Sequence, residues 1–498
     1  MDSVWIDGVP SPAACLTGEA EADVAVVGAG ITGAVTALRL AEAGLKVAVL
    51  EARSAGEGNT GRSTGNLYAT VSTGLATLRD KWDDEEARLA TAARAAAIDW
   101  IEETANRLGI DCGLRRVPLH QCVLNAGSTA HEQLRREHEA AEALGLPAEW
   151  GDAVPGWPLS PAAVHTLSRQ AHFNPYRFVA GLMAALRERG VALYEHSRVV
   201  DIDASEGLVI TREGRVRARH IVLATHTPAG FNALQAEMEV YREYGVAAPL
   251  EGEGPSDASV WVKDGKHSVR THEQGGRRYI VMVGEKHKTG EGDEHADYFG
   301  RLRDFGRRHF RLGEFTHAWS AQQYTSGDGL PYIGRSAHDN VLIATGMGAD
   351  GLTWGTVAGA VIERLVKGDE DALTRLLTPR RFTPVKSAKS FVAENTTVTK
   401  HMVGDRVEAL RSDEGLADVP LGGGRVLRLD GETCAVHRTR DGRYVALSPV
   451  CPHMGCHVKW NQSEQSWDCP CHGSRFDTEG QVIEGPALTG LERRQVNR

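Results

Sequence analysis

The sequence predicts an α/β nucleotide-binding domain and a separate C-terminal domain that binds a metal cluster. Three observations predict this fold class. A strand, a glycine turn and a helix stand near the N-terminus, a second glycine-rich helix start follows at 346–355, and two boxes of Cys and His lie within 451–474. The chain of 498 residues, of which 41% are hydrophobic, is long enough for about three domains with real cores.

The first element is a βαβ unit with a phosphate-binding turn. Residues 22–27 form an apolar strand, 28–33 read G-x-G-x-x-G, and 34–43 have the Ala/Leu periodicity of a helix. The glycines let the backbone approach a pyrophosphate at the helix N-terminus, and Glu51, after a second strand, can accept from a ribose hydroxyl. A glycine-rich structural turn is the alternative, but the complete unit favours a nucleotide. The residues expected at the nucleotide are Gly28, Gly30, Ile31, Thr32, Gly33, Glu51 and Ala52.

Later segments extend the same sheet. Residues 191–200 and 221–225 are predicted to be further strands, and 340–345 is a strand that runs into a glycine-rich helix start. A second helix N-terminus, about 300 residues after the first, suits a cofactor bound in an extended form, because helix N-termini attract negative charge.

These motifs together resemble the D-amino-acid oxidase family of flavoproteins, which includes sarcosine oxidase and glycine oxidase. The resemblance implies FAD, with the late glycine segment beside the pyrimidine end of the flavin and loop 61–66 between fingerprint and ring. It also implies a Rossmann-like, glutathione-reductase-type α/β domain with an inserted α+β substrate domain. The further cofactor contacts that it implies are Arg62, Ser63, Val199, Thr225, Gly346, Gly348, Gly351, Leu352 and Thr353.

The chain is expected to divide into discontinuous domains, because the substrate domain interrupts the nucleotide-binding one. The boundaries that we predict are 1–74, 166–229 and 326–369 for the FAD-binding domain, 75–165 and 230–325 for the substrate domain, 370–404 for a connector, and 405–498 for the cluster domain.

The C-terminal boxes supply a complete ligand set for a cluster. Cys451-x-His453 and Cys469-x-x-His472 give two thiolates and two imidazoles, the set that holds a Rieske-type iron-sulfur cluster. A structural zinc site is the rival. Zinc modules usually pair Cys with Cys and His with His, whereas each half-site here holds one of each, so the spacing favours the cluster.

The residue patterns of both boxes, C-x-H-x-G-C and C-P-C-H-G-S, resemble those of the high-potential Rieske branch of cytochrome bc complexes. This resemblance implies an all-β domain with one [2Fe-2S] cluster. Free thiols are the alternative to the disulfide that this resemblance implies, because cytosolic thiols are normally kept reduced. The residues implied are Cys451 and Cys469 on one iron, His453 and His472 on the other, and Cys456 with Cys471 in a disulfide.

Two residues at and just after the end of the second box, Ser474 and Phe476, bear on the reduction potential of the cluster. Two imidazoles in place of thiolates make the cluster less negative, which gives potentials of about −150 to +300 mV. Ser474 resembles the family serine that donates a hydrogen bond to a bridging sulfur, whereas Phe476 stands where high-potential members place a tyrosine. The missing hydroxyl predicts a potential below the top of this range.

The whole chain resembles bacterial FAD-dependent oxidoreductases with a C-terminal Rieske domain. Since FAD takes two electrons at once and a Rieske cluster carries one at a time, the resemblance implies a dehydrogenase for an amine or amino acid. Its electrons would leave singly to an external acceptor, a protein or a quinone-linked carrier. Two alternatives stay open. In one the cluster reduces FAD for a reductive or monooxygenase reaction, and in the other the protein is a non-catalytic redox-sensing module.

A missing charge favours a dehydrogenase over an oxidase. Sarcosine-oxidase-like members use a lysine near the flavin to help oxygen accept electrons, and alignment on Gly284 puts that position at Met282. Gln322 stands where some members carry the cysteine that binds FAD covalently, so we expect non-covalent FAD.

Three residues are expected at the substrate, namely Arg270, His287 and Tyr324. Arg270 precedes the strand that faces the flavin, and its planar fork could clamp a carboxylate. His287 could lie at the flavin face and Tyr324 could border the pocket, while His226 could either cap a strand or act on substrate. A solvated arginine and a polar turn are the alternatives for the first two. No general base stands out by spacing.

Charge and hydropathy exclude other classes of partner. The net charge of −10, with scattered basic residues, argues against a nucleic-acid surface. The chain opens without an apolar h-region and has no run of about 18 apolar residues, so we expect no secretory signal, no membrane helix and a cytoplasmic location.

Overall fold

The protein is described by a computed structural model that covers residues 3–8, 13–228, 230, 232–293, 296–381, 383, 415–429 and 431–495. Most of the predicted connector, from 384 to 404, and the predicted start of the cluster domain at 405–414 lie outside the described residues.

The strands, in chain order, are β1 (Gly18–Val27), β2 (Val47–Leu50), β3 (Asn66–Leu67), β4 (Arg115–Val123), β5 (Ala148–Gly151), β6 (Ala163–His172), β7 (Ala192–Tyr194), β8 (Val199–Asp203), β9 (Leu208–Thr211), β10 (Gly214–Leu223), β11 (Met238–Pro249), β12 (Ser259–Val262), β13 (His267–Gln274), β14 (Arg277–Lys288), β15 (His317–Ser326), β16 (Tyr332–Arg335), β17 (Val341–Thr345), β18 (Gly424–Leu429), β19 (Glu432–Arg438), β20 (Tyr444–Leu447), β21 (Lys459–Asn461), β22 (Ser466–Asp468), β23 (Arg475–Phe476) and β24 (Val482–Glu484). The helices are α1 (Ile31–Glu42), α2 (Leu75–Lys81), α3 (Asp84–Leu108), α4 (Thr129–Ala143), α5 (Pro175–Glu188), α6 (Tyr298–His309), α7 (Gly351–Lys367) and α8 (Ala372–Leu377).

The first sheet has the order β16-β17-β10-β1-β2-β7, and the hairpin of β8 and β9 joins it at β10. β1 pairs in parallel with β2 and β10, which places the fingerprint turn after the central strand. The predicted strand at 191–200 is wrong in one respect, because it is two strands: β7 pairs with β2 and β8 with β9. His196, between them, has a left-handed backbone with φ of 52°.

Helices α1, α3, α5 and α7 pack on one face of this sheet in a common apolar core. Their ends follow local signals. Asp83 and Glu86 form a capping box at the start of α3, and Gly109 ends that helix in the left-handed conformation. Gly33 lets α1 approach β1, because a Cβ there would overlap the carbonyl oxygen of Gly28.

The second sheet has the order β15-β11-β14-β13-β12-β4-β6-β3, with β5 on β6. Strand alternation gives it two buried faces. Met282 packs towards α6, while Val281 and Val283 pack with Trp319 on the face towards the first sheet. The strands β3 and β6 belong to this sheet, although the predicted boundaries at 74 and 165 put residues 66–67 and 166–172 with the FAD-binding segments.

The C-terminal residues form a three-stranded sheet, β18-β19-β20, and a four-stranded sheet, β21-β22-β23-β24. Trp460, Trp467 and Phe476 fill the core between them together with the cysteines of the two boxes. This all-β domain and the two sheets before it confirm the predicted fold class. Among the helices in the described part of the chain, none has both the length and the apolar character of a membrane span.

Candidate active site and cluster site

A cavity of about 300 Å³ lies where the parallel strands of the first sheet end. Residues that follow β1, β2 and β10 form one side, as expected where ligands bind outside the carboxyl ends of strands. Parts of β11, β14 and β15 form the facing wall, and residues 483–488 of the C-terminal domain complete it. The cavity is therefore enclosed by both large sheets and by the cluster domain.

Most of the predicted cofactor residues line this cavity, and three do not. Gly33 packs α1 against β1, Gly346 lies in a turn against Tyr332, and the Thr353 hydroxyl accepts from the backbone N–H of Tyr68 at 3.4 Å. These three support the site from behind. The predicted residues that line the cavity are Gly28, Gly30, Ile31, Thr32, Glu51, Ala52, Arg62, Ser63, Val199, Thr225, Gly348, Gly351 and Leu352.

The groups around the cavity suit a dinucleotide. The first turns of α1 and α7 line it, and neither N-cap residue makes a side-chain cap bond; the Thr60 hydroxyl accepts from the N–H of Ile31 at 3.0 Å, and the positive helix ends otherwise face the cavity. Glu51 accepts from the backbone N–H groups of Ala29 and Arg53 at 2.9 Å each, which fixes its carboxylate. Arg62 makes no side-chain hydrogen bond or ion pair to the described residues. FAD would fit this donor set: the N-terminus of α1 would hold its phosphates, that of α7 the pyrimidine end of its ring, and Glu51 a ribose hydroxyl.

Arg270 does not reach the cavity, contrary to its expected role as a carboxylate clamp. Its guanidinium is fully buried and donates to the backbone carbonyls of Thr271 at 2.9 Å and Gly65 at 2.6 Å. The ring of Trp5 lies 5.0 Å from its carbon Cζ, and burial lowers the pKa of the guanidinium to about 9. Arg270 therefore holds the loop that precedes β3, and its donors are used by the protein itself.

His287 also lies away from the cavity. Its Nε2 is 3.1 Å from the hydroxyl of Tyr244, its Nδ1 is 2.8 Å from the carbonyl of Lys288, and its ring stacks on Tyr298. Tyr324 lines the cavity as expected from the sequence, and so does His226. The two rings meet edge to face with centroids 4.8 Å apart.

Several polar cavity residues carried no signal in the sequence. Asn59 lies 2.5 Å from His226 Nδ1 and accepts from the backbone N–H of Gln322 at 3.2 Å, which ties the loop between β2 and β3 to β15. Glu243 accepts from the Gln323 amide, and burial raises the pKa of its carboxyl. Period-two alternation along β11 and β15 could indicate a shared face, but not that this face meets the cofactor.

Met282, where alignment on Gly284 puts the oxygen-activating lysine of sarcosine-oxidase-like members, does not line the cavity. Met282 packs against α6 in the core of the second sheet, and the neighbouring Val283 lines the cavity. A shift of one residue reverses the face of a strand, so alignment on Gly284 alone does not determine which side chain faces the cavity. The cavity residues that the structure describes include no lysine.

The two Cys/His boxes fold into matching loops. The N–H of Gly455 bonds to the carbonyl of Cys451 at 2.9 Å, and the N–H of Gly473 bonds to that of Cys469 at 3.0 Å. Cys456 and Cys471 are joined in a disulfide that links the loops. Their sulfurs and that of Cys469 lie within 4.8 Å of one another, and of these three only Cys469 keeps a free thiol.

The remaining side chains of the boxes fit a [2Fe-2S] cluster. The rings of His453 and His472 stand edge to face with centroids 5.0 Å apart, and both Nδ1 atoms are buried without a hydrogen-bond partner in the described part of the chain. Such atoms are costly unless a ligand satisfies them. Cys451 and Cys469 lie within hydrogen-bond reach of each other, and Ser474 Oγ reaches Cys451. Two thiols and two imidazoles therefore converge, as the Rieske ligand set requires.

Phe476 gives a test of the potential. Its ring is fully buried among the cysteines of the boxes. Phe476→Tyr should raise the reduction potential by about 40 mV, because a hydrogen bond that strengthens by about 1 kcal/mol on reduction shifts a one-electron couple by that amount. A redox titration followed by electron paramagnetic resonance measures it. Phe299→Tyr, outside this core, is the control, and an unchanged potential in Phe476→Tyr would contradict the role of the missing hydroxyl.

A buried ionic network joins the C-terminal domain to the second sheet. Arg242 on β11 pairs with Glu464 at 2.6 Å and with Glu484 at 2.9 Å, and its side chain is 1% exposed. Arg475 pairs with Glu464 at 2.9 Å, Glu484 at 3.1 Å and Asp468 at 2.9 Å. Two cations and three carboxylates are thus enclosed between the domains. Because Glu484 also lines the cavity, the network fixes one of its walls.

This network predicts that the interface is sensitive to acid. Burial alone would raise the pKa of Glu484, but Arg242 and Arg475 outweigh burial and lower it to about 2. In the unfolded chain the pKa of a glutamate is about 4.3. Because the pKa of Glu484 is lower in the folded protein, its carboxylate contributes fully to the stability of the fold above about pH 5, and this contribution is lost as the pH falls towards 2. The urea concentration at the unfolding midpoint, measured by tryptophan fluorescence, should therefore be lower at pH 3 than at pH 5. An equal midpoint at pH 7 and pH 3 would contradict this.

Comparison with known proteins supports these assignments. Residues 23–365, more than half of the chain, match the family described as DAO, FAD dependent oxidoreductase, and residues 392–494 match the Rieske [2Fe-2S] domain. A Bacillus subtilis (strain 168) protein, the Rieske 2Fe-2S iron-sulfur protein YhfW, is 29% identical over 95% of this chain and 94% of its own. The cytochrome b6-f complex iron-sulfur subunit 2 of Cyanophora paradoxa is 53% identical over 51 residues, which are 10% of this chain and 21% of that protein.

Solved structures share the fold of the first two sheets. Glycine oxidase from Geobacillus kaustophilus superposes with a TM-score of 0.60 at 22% identity, over 73% of this chain and all of that one. L-proline dehydrogenase from P. horikoshii gives 0.56 at 17% identity, over 74% and 98%. The matches, the cavity and the converging cluster ligands lead to one conclusion. The chain belongs to the DAO family of FAD-dependent oxidoreductases and carries a C-terminal Rieske [2Fe-2S] domain.

Proposed function

We propose that this enzyme is a dehydrogenase that oxidises an amine or amino acid at a C–N bond, and that the electrons leave singly through its own Rieske domain. One observation carries the proposal. The second cluster box packs directly on the cavity wall, where Gln322 donates to the carbonyl of Gly473 at 2.9 Å. An enzyme that used its flavin alone would need no such contact. The external acceptor is then a one-electron carrier, a protein or a quinone-linked species.

Bound FAD supplies hydride acceptance, and a bound [2Fe-2S] cluster supplies one-electron transport. In the proposed reaction the carbon next to the nitrogen loses a hydride, that is two electrons and one proton, to give a C=N iminium; where the nitrogen carries a hydrogen, it can also lose that proton to give an imine. Water then hydrolyses the C=N bond. His226 meets the cavity as a neutral imidazole, because burial lowers its pKa to about 4. Glu243, whose pKa burial raises, is an acidic group of β11 in the facing wall and suits an amine N–H. Arg62, which lines the cavity together with Arg53 and Arg198, can meet an anionic group.

The structural relatives give the substrate class its support. Glycine oxidase and L-proline dehydrogenase act, by their names, on amino acids, and the present chain shares their fold. The cavity has the polar groups for an amine, whereas Arg270 is not placed to clamp a carboxylate. We therefore favour an amine or amino acid without choosing between them. Electron flow from substrate to acceptor and a cytoplasmic location remain predictions from the sequence.

The uncharged Val283 predicts a slow reaction of the reduced flavin with oxygen. Val283→Lys should raise the rate of flavin reoxidation by oxygen at least about tenfold, because a cation at the cavity stabilises the charge that forms on oxygen. Stopped-flow mixing of reduced enzyme with aerated buffer measures the rate. Val283→Met is the matched control, since it adds length without charge. Equal rates in the lysine and methionine variants would remove charge as the reason.

A screen of primary, secondary and tertiary amines and of amino acids with an artificial one-electron acceptor tests the function. Oxygen uptake is followed in parallel. We expect turnover with at least one amine, little oxygen uptake, and, under anaerobic mixing, flavin bleaching followed by loss of Rieske absorbance. Cluster reduction by an outside donor before flavin bleaching would support the reverse flow of electrons. Absence of turnover with every compound would support a redox-sensing role.

A further inference from the structure

Two side chains of β15 connect the flavin cavity to the second cluster box. Gln322 and Tyr324 both line the cavity. The Gln322 amide donates to the hydroxyl of Tyr324 at 2.7 Å and to the carbonyl of Gly473 at 2.9 Å. The Tyr324 hydroxyl donates to the carbonyl of Gly485 at 3.1 Å and lies 3.5 Å from that of His472, a cluster ligand residue. A single layer of side chains thus separates the cavity from the ligand loop.

Close packing fixes this contact in place. A Cβ on Gly473 would lie 2.5 Å from Val240 Cγ1 and 2.9 Å from the Gln322 amide nitrogen. A Cβ on Gly290 would lie 2.7 Å from the backbone nitrogen of Pro470, inside the second box. There is no room for even a methyl group at either point. The box cannot slide along the wall without breaking the hydrogen bonds of Gln322 and Tyr324.

The two cluster boxes face different surroundings. Residues 469–474 are all buried against the cavity wall. In the first box Pro452 and Met454 are exposed, Met454 by 37%. The second box therefore faces the cavity wall, whereas exposed residues flank His453 in the first box.

We propose that Gln322 and Tyr324 are positioning residues for electron transfer between the flavin cavity and the cluster, and that this transfer occurs with the C-terminal domain docked as it is here. The inference rests on the proposed function only in that two redox groups in one chain exchange electrons. Each transfer moves one electron and reduces the cluster by one. An external one-electron acceptor removes it before the second electron crosses.

The two residues act through hydrogen bonds and do not carry charge themselves. The Tyr324 hydroxyl accepts from the Gln322 amide and donates to the carbonyl of Gly485. The Gln322 amide is oriented by Thr289, whose hydroxyl donates to its oxygen at 3.3 Å and leaves the NH₂ group to serve Tyr324 and Gly473.

Flash photoreduction of the holoprotein with 5-deazariboflavin tests the proposal without any substrate. Absorbance at flavin and cluster wavelengths gives the rate at which electrons redistribute between the two groups, whichever is reduced first. Tyr324→Phe should slow this rate about tenfold, the effect of losing one buried hydrogen bond from the docked state. Gln322→Leu removes two donor bonds and should slow it further. The paramagnetic resonance spectrum of the reduced cluster should stay unchanged in both variants, because no iron ligand is altered.

Tyr332→Phe is the matched control. Tyr332 is equally buried and donates to Glu237 at 2.7 Å, with no bond to the cluster box among the described residues. Its electron redistribution should lie within about twofold of the native rate. Hydrogen–deuterium exchange of residues 469–476 supplies a second readout, with faster exchange expected in Gln322→Leu and Tyr324→Phe only. Native rates in those two variants, or equal slowing in Tyr332→Phe, would overturn the proposal. Slowed redistribution in an enzyme that oxidises no amine would instead overturn the proposed function alone.

Discussion

Arg242→Met is expected to release the cluster domain from the second sheet. The substitution keeps the volume of the side chain but leaves Glu464, Glu484 and Asp468 with Arg475 as their only partner in the network. Removal of one member of a buried ion pair costs about 3 to 5 kcal/mol, because an uncompensated charge stays enclosed. We expect a lower urea midpoint for the C-terminal domain and faster cleavage of the chain by a protease. Electron exchange between flavin and cluster should fall with it.

Arg493→Met controls for loss of a charge without loss of burial. Arg493 pairs with Glu479 at the surface, and its side chain is 70% exposed. Exposed ion pairs contribute little, so this variant should keep the native midpoint and the native protease resistance. If Arg242→Met behaved like Arg493→Met, the buried network would not be what holds the domain.

Gly33→Ala is expected to abolish FAD binding. A Cβ at this position would overlap the carbonyl oxygen of Gly28, which belongs to the turn that carries the fingerprint. Because the obstacle is backbone, α1 must move away from β1, and the helix N-terminus then leaves the position where it can bind a phosphate. The purified variant should lack the yellow flavin and should regain less than about a hundredth of the native occupancy when FAD is added.

Gly151→Ala separates this effect from the general cost of replacing a glycine. Gly151 lies in β5, and a Cβ there meets nothing within 4 Å. The control should bind FAD like the native protein and keep its melting temperature within about 2 °C. Normal flavin content in Gly33→Ala would contradict the close approach of α1 to β1.

The parts of the site that follow from local sequence were predictable. The fingerprint needs glycines at fixed spacing because one turn must bend tightly and meet a helix, and the cluster boxes need their ligands at fixed spacing for a similar reason. Both patterns lie within a few residues of chain. The fold class followed from these two patterns and from the resemblance that they carry.

The parts that depend on long-range packing were not predictable. Arg242 and Glu464 form an ion pair although they are 222 positions apart in the sequence, and no local pattern in either segment predicts this contact. Arg270 was expected at the substrate, but its register on β13 turns it towards the loop before β3. Met282 was expected near the flavin, but its side chain points away from the cavity that Val283 lines, because a single step along a strand changes the face. Residues 483–488 form part of the cavity wall, but their sequence contains no motif that predicts this role.

A stoichiometric reductive titration tests the central claim most directly, which is that one chain holds both FAD and a Rieske cluster. The anaerobic holoprotein is titrated with dithionite while flavin absorbance and the paramagnetic resonance signal of the cluster are followed. We predict about three electrons per chain, two at the flavin and one at the cluster, with the Rieske signal developing in full. Uptake of about two electrons with no Rieske signal would contradict the account.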